Sequence, residues 1–167
     1  MMTYLKFVMK DGRYGYLSLR QMKFSDIPFF NEVRNSCIKY LHDQNEYSIK
    51  ETKDWFNREN PLYYILELDN NEIGYFRTKI DDRRLFIGLD IKEKFRGLSI
   101  SPKAYELLFK FLDKDEYYLY VREDNFVARN LYKKLGFEII SKETVNGIRS
   151  ILMVKKMNIK SQLPRHK

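Results

Sequence analysis

Cysteine is nearly missing from this chain: Cys37 is the single thiol in 167 residues. That excludes an internal disulfide framework and a thiolate metal cluster, and it makes a reducing, cytoplasmic setting the expectation. Long apolar runs are missing too, so no membrane-spanning helix and no membrane partner are expected. The opening residues, MMTYLKFVMKDGR, have neither an apolar signal core nor a small-residue cleavage site, so no export signal is expected. Acidic residues stop at Glu143. Beyond it Arg149, Lys155, Lys156, Lys160, Arg165 and Lys167 supply six positive charges of a net +8, leaving two for everything before. With so little net charge on its body the chain is not expected to bind nucleic acid, and its basic end reads as a solvated terminus. No internal repeat or low-complexity segment is present.

What is abundant is apolar and aromatic: 44% of residues are hydrophobic and 16% are Phe, Trp or Tyr. That composition excludes disorder, and the length fits one domain, residues 1–157, followed by a basic tail over 158–167. Residues 4–9 and 14–22 read as strands around the turn dipeptide Asp11-Gly12, a hairpin that extends a sheet or reaches another subunit. Ser25 is positioned to cap a helix whose apolar residues Ile27, Phe30, Val33, Cys37 and Leu41 recur every three or four places. Cys37 therefore reads as a buried structural thiol. Ser48 and Glu51 have capping-box spacing before a short helix carrying Trp55 and Phe56, both read as core.

Further on, residues 62–68, 72–80, 85–91 and 117–121 read as strands, and 137–141 and 148–156 as a last hairpin around Asn146-Gly147. One helix carries Ala104, Leu107, Leu108, Phe111 and Leu112. Another carries Ala128, Leu131, Tyr132 and Leu135 and stops at Gly136. The implied class is α+β: a mixed, mostly antiparallel sheet flanked by helices.

Residues 85–104 hold the most chemistry. A strand leads through Arg96-Gly97-Leu98-Ser99-Ile100-Ser101 to Pro102, which suits the first residue of a helix, with Ser101 as its N-cap. Unpaired amides and the helix dipole at such a junction favour an anion, here a phosphate-bearing ligand.

Two segments carry a family resemblance. Phe95-Arg96-Gly97-Leu98-Ser99-Ile100-Ser101 resembles the acyl-CoA-binding loop of the GNAT superfamily of N-acetyltransferases, with serines at 99 and 101 where the family mostly has glycine or alanine. Asn125 through Phe137, closing on Leu131-Tyr132-Lys133-Lys134-Leu135-Gly136-Phe137, resembles the family's downstream motif. The resemblance implies a GNAT fold with an extra N-terminal hairpin and acetyl-CoA as cosubstrate. By it, the amides of Arg96, Gly97, Leu98, Ser99, Ile100 and Ser101 cradle the pyrophosphate, provided that the serines need no positive φ. The main chain of Leu89, Asp90 and Ile91 would pair with the pantetheine arm. Asn125 would bond the pantetheine, cap its helix, or do both; Asn130 is a cofactor candidate or an exposed helical residue. Tyr132, core by periodicity, becomes by resemblance the general acid that protonates the departing thiolate. His42 and Asp82 are candidate general bases by side-chain chemistry and position.

Glu32-Val33-Arg34-Asn35 followed by residues 48–56 resembles family members that acetylate nucleotide-linked amino sugars or ribosomal-protein N-termini. The expected acceptor is a small-molecule amine such as a nucleotide-linked amino sugar, with a protein N-terminus or a non-catalytic acyl-CoA-binding module as alternatives. A homodimer is compatible with either enzyme reading.

Overall fold

A computed structural model describes residues 4–157; residues 158–167, read as the basic tail, lie outside it. The elements run β1 (Tyr4–Val8), β2 (Tyr14–Gln21), α1 (Ile27–Ser36), α2 (Ile49–Glu59), β3 (Tyr64–Leu68), β4 (Asn71–Asp81), β5 (Arg84–Ile91), α3 (Ile100–Leu112), β6 (Glu116–Arg122), α4 (Phe126–Lys134), β7 (Glu138–Val145) and β8 (Ile148–Lys156). The eight strands form one sheet in the order β1-β2-β3-β4-β5-β6-β8-β7, antiparallel throughout except between β5 and β6. No helix among the described residues is long and apolar enough to cross a membrane.

Alternation along the strands sorts side chains onto two faces. On β5, Ile87 and Ile91 enter the larger core with Ile100, Ala104, Tyr105, Leu107 and Leu108 of α3. On the other face Ile65 and Tyr75 pack with Ile27, Phe30 and Val33 of α1. Each large side chain buried here contributes roughly 1.5–3 kcal/mol. The N-terminal hairpin extends the sheet by antiparallel pairing of β2 with β3, and it sinks Phe7 and Met9 into the larger core.

The parallel pairing of β5 with β6 is confined to one register position, Phe86 opposite Tyr118. Past it the strands part, so the groups of β5 that face β6 at Leu89 and Ile91 have no ladder partner, while the main chain of Asp90, expected to share that edge, pairs with Tyr75 of β4. The Leu89 groups and the Ile91 amide are left to bond whatever enters the gap, the Ile91 carbonyl being held by Arg96.

Two helix starts differ from the sequence reading. Ser25 does not cap α1: residues Phe24–Asp26 form a 3-10 turn, and Asp26 accepts the Lys23 amide at 2.7 Å. α1 also ends at Ser36, so Cys37 and Leu41 follow it rather than belong to it, although both are buried. α3 begins at Ile100, which puts Ser101 and Pro102 inside its first turn and makes Ser99 the N-cap. Pro102 is tolerated there because first-turn N–H groups lack intrahelical acceptors. The Ser48–Glu51 capping box forms as expected.

Candidate active site

The loop between β5 and α3 holds its donors open. Among the described residues, the amides of Gly97, Leu98 and Ser99 bond no backbone or side-chain acceptor, and those of Ile100 and Ser101 are the unpaired first-turn donors of α3. Arg96 departs from the expected cradle, because its amide is committed to the Glu93 carbonyl at 3.0 Å. Its guanidinium also turns inward, donating to the Ile91 carbonyl at 3.0 Å and to Cys37 Sγ at 3.2 Å. Arg96 thus fixes the end of β5 to the residue after α1. Cys37 is buried, and burial raises its thiol pKa, so it stays a protonated packing group.

Ser99 has φ 64° and ψ 22°, a left-handed conformation that glycine enters freely and serine does not. The condition that the serines need no positive φ therefore fails at 99 and holds at 101, which is helical. The tip of the N-terminal hairpin braces this loop, with the Lys10 amide donating to the Leu98 carbonyl at 3.4 Å.

On the same face, Asn125 caps α4: its Oδ1 accepts the Ala128 amide at 3.2 Å. The Nδ2 makes no bond within the described residues and remains available. Asn130 is exposed on α4. Tyr132 is half-buried against Tyr105 and Phe137, with its hydroxyl 3.2 Å from that of Tyr105. Burial is the largest cause raising the Tyr132 pKa, so the phenol carries its proton through neutral pH.

Across the sheet lies a cavity of about 570 Å³ lined by residues that include Phe30, His42, Trp55, Tyr75, Arg77 and Asp90. Asp90 is the buried carboxylate at the open end of β5. It accepts the Tyr75 hydroxyl at 2.6 Å and lies 3.1 Å from Arg77 Nε. Arg77 faces Gly88 across the β4–β5 ladder, and a Cβ on Gly88 would fall on the guanidinium, so glycine there makes room for the ion pair. The expected role of Asp90 was main-chain only; its side chain belongs to this cavity.

His42 reaches the same cavity on a short loop that α1 ties down. Arg34 donates to the Asp43 and Asn45 carbonyls at 2.9 and 2.5 Å, and Asn31 and Asn35 both hold the Tyr47 carbonyl. The imidazole Nε2 lies 2.6 Å from Ser150 Oγ. In the tautomer in which the Ser150 hydroxyl donates to the Ile148 carbonyl at 3.0 Å, its oxygen accepts from Nε2–H. That leaves the Nδ1 lone pair as the proton acceptor. Burial first, then Arg77 and Arg122, lowers the His42 pKa below its ordinary 6.5 and keeps the ring neutral.

Asp82, the other candidate base, does not join this group. It sits in the β4–β5 turn at φ 48°, at the opposite end of β5 from Asp90, roughly 20–25 Å away along the strand. The sequence reading missed Tyr75, Arg77 and Tyr105. Trp55, read as core, packs against the smaller core by stacking on Phe30 at 5.4 Å, and its half-buried ring also lines the cavity, which the sequence did not indicate. The one available signal was positional: Tyr75 and Arg77, two residues apart, share one face of a strand. Among the described residues no cluster of His, Cys, Asp and Glu could hold a metal.

The fold that carries this arrangement recurs in known proteins. A mycothiol acetyltransferase of Mycolicibacterium smegmatis is 30% identical over 122 residues, which are 65% of this chain and 41% of that relative. The chain thus spans about two fifths of that relative's length. A Vibrio cholerae spermidine N-acetyltransferase, solved with CoA and spermine, superposes with a TM-score of 0.72 at 21% identity, covering 84% of this chain and 95% of that one. A Brucella melitensis ribosomal-protein-alanine N-acetyltransferase superposes with a TM-score of 0.68 at 14% identity, covering 83% of this chain and 99% of that one. These structural likenesses establish the fold. The acetyltransferase (GNAT) family model matches residues 28–137, from the first turn of α1 to the end of the Tyr132 motif, and to that family the chain belongs.

Proposed function

We propose that this protein transfers an acetyl group from acetyl-CoA to the primary amine of a small molecule bearing an anionic group, such as a nucleotide-linked amino sugar. The observation that carries the reading is the gap between β5 and β6. It joins the amide-lined loop and Tyr132 on one face to the His42–Asp90 cavity on the other, so a thioester and an amine entering from opposite sides would meet there. The structural relatives named for spermidine and for ribosomal-protein alanine act, by their names, on amines, and the first was solved with CoA.

Acetyl-CoA would supply the activated acyl group as a thioester. The free amides of Gly97, Leu98, Ser99, Ile100 and Ser101 suit its pyrophosphate, and Asn125 Nδ2 and the open edge of β5 suit the pantetheine amides. A backbone N–H on that edge would suit the developing oxyanion. His42 Nδ1 takes the amine proton, directly or through water, and Tyr132 protonates the leaving sulfur. For the anionic part of the acceptor, Arg58 lines the cavity.

The test is acetyl-CoA-dependent thiol release with simple amines, nucleotide-linked amino sugars and peptides. Release with the anionic amines above the others is expected. Release confined to peptides would replace the small-molecule reading with a protein N-terminus. No release with any acceptor, together with no thermal shift on adding CoA, would overturn the enzyme reading.

A further inference from the structure

Tyr105, on the buried face of α3, contributes a hydroxyl that packing alone does not require. The ring is 1% exposed and clamped edge-on by Phe76 at 5.2 Å and Tyr132 at 5.8 Å. Among the described residues its hydroxyl has one polar partner, the Tyr132 hydroxyl at 3.2 Å. Two hydroxyls place one proton between them. If Tyr132 donated, the Tyr105 proton would point into apolar packing without an acceptor, an arrangement that buried hydroxyls avoid. With Tyr105 donating, its buried proton has an acceptor and the Tyr132 proton is free to turn toward the gap.

We infer that Tyr105 is a positioning residue for thiolate protonation: its O–H donates to the Tyr132 oxygen, aims the Tyr132 proton at the departing sulfur and steadies the phenolate that remains. The Tyr132 O–H bond breaks as the S–H bond forms, and water reprotonates the phenolate before the next turnover. The Tyr105 bond opposes the rise that burial imposes on the Tyr132 pKa; the charged groups that also reach Tyr132 are Arg77 on β4 and Asp90 on β5, while Phe137 packs on it without charge.

This rests on Tyr132 being the general acid, so the experiment pairs Tyr105→Phe with Tyr132→Phe and the double variant. Losing one hydrogen bond to the reacting group should lower kcat about 5–10-fold. The KM for acetyl-CoA should stay within about twofold, and the alkaline limb of the pH–rate profile should move upward. In the Tyr132→Phe background, Tyr105→Phe should add nothing. An impaired Tyr132→Phe beside an unchanged Tyr105→Phe overturns the inference, as does a full additive loss in the double variant. Full turnover by Tyr132→Phe overturns the acid reading itself. The position of the limb does not depend on the active fraction, so it decides the case even if Tyr105→Phe folds less completely.

Discussion

His42 shows how much of a residue's chemistry lies outside its own letter. Its loop position and ordinary pKa were legible in the sequence; its tautomer was not, because that depends on Ser150, 108 positions away and buried beside it. Asp82 was as plausible from the chain alone, and the topology of β5 sends it to the far end. With the His42 pKa lowered by burial and two guanidinium groups, the acid limb of the pH–rate profile should lie below 6.5. His42→Gln should lower kcat by about 100-fold or more and remove that limb. Asp82→Asn should leave both unchanged. Ser150→Ala, which releases the tautomer, should lower kcat and leave KM for acetyl-CoA alone. A retained limb in His42→Gln would disprove the base assignment. The same depression links His42 to stability: the unfolded chain protonates near 6.5 and the folded chain only below it, so stability declines as pH falls through that window.

At the scale of the element, α3 and its loop were recognisable from the β5 apolar run, Pro102 and the stripe on the helix, yet the first helical residue was misplaced. The cause is Ser99. Propensity argues against serine in the left-handed region, so the sequence pointed to Ser101 as the cap, whereas tertiary constraints from β5 and the N-terminal hairpin bend the chain two residues earlier. Two serines that look alike therefore predict opposite outcomes. Ser99→Gly relieves a conformation costing roughly 1–2 kcal/mol. Greater freedom of the unfolded chain offsets part of that, for a net gain of up to about 1 kcal/mol. Ser101→Gly, in the helix, should lose up to about 1 kcal/mol. Thermal melts should separate the pair by roughly 4–8 °C, at about 2–4 °C per kcal/mol for a domain of this size. CoA affinity should follow the same order, since the Ser99 amide is one of the open donors. A Ser99→Gly variant that melts below the parent would show that the serine side chain supports the loop.

For the molecule as a whole, local elements were far more legible than the divided sheet. Hairpins announce themselves through Asp11-Gly12 or Asn146-Gly147, but the single-position contact of β5 with β6 joins segments more than 30 residues apart. The cavity likewise draws on α1, the loop after it, α2, β4, β5 and the β7–β8 turn, which no spacing in the sequence relates. A fold that leaves backbone donors open along one strand edge and one loop should become more stable when they are filled. At CoA concentrations near 100 times the dissociation constant, binding to the folded state alone adds about 2.7 kcal/mol. The melting temperature should then rise by roughly 5–10 °C. Hydrogen exchange locates the gain. Amides of Leu89, Ile91, Gly97, Leu98, Ser99, Ile100 and Ser101 should slow together on adding CoA, while Arg96, already bonded to Glu93, and Asp90, paired with Tyr75, should change least. Protection confined to α1 and α2 would place the cofactor in the cavity instead, and would reverse the assignment of the two faces.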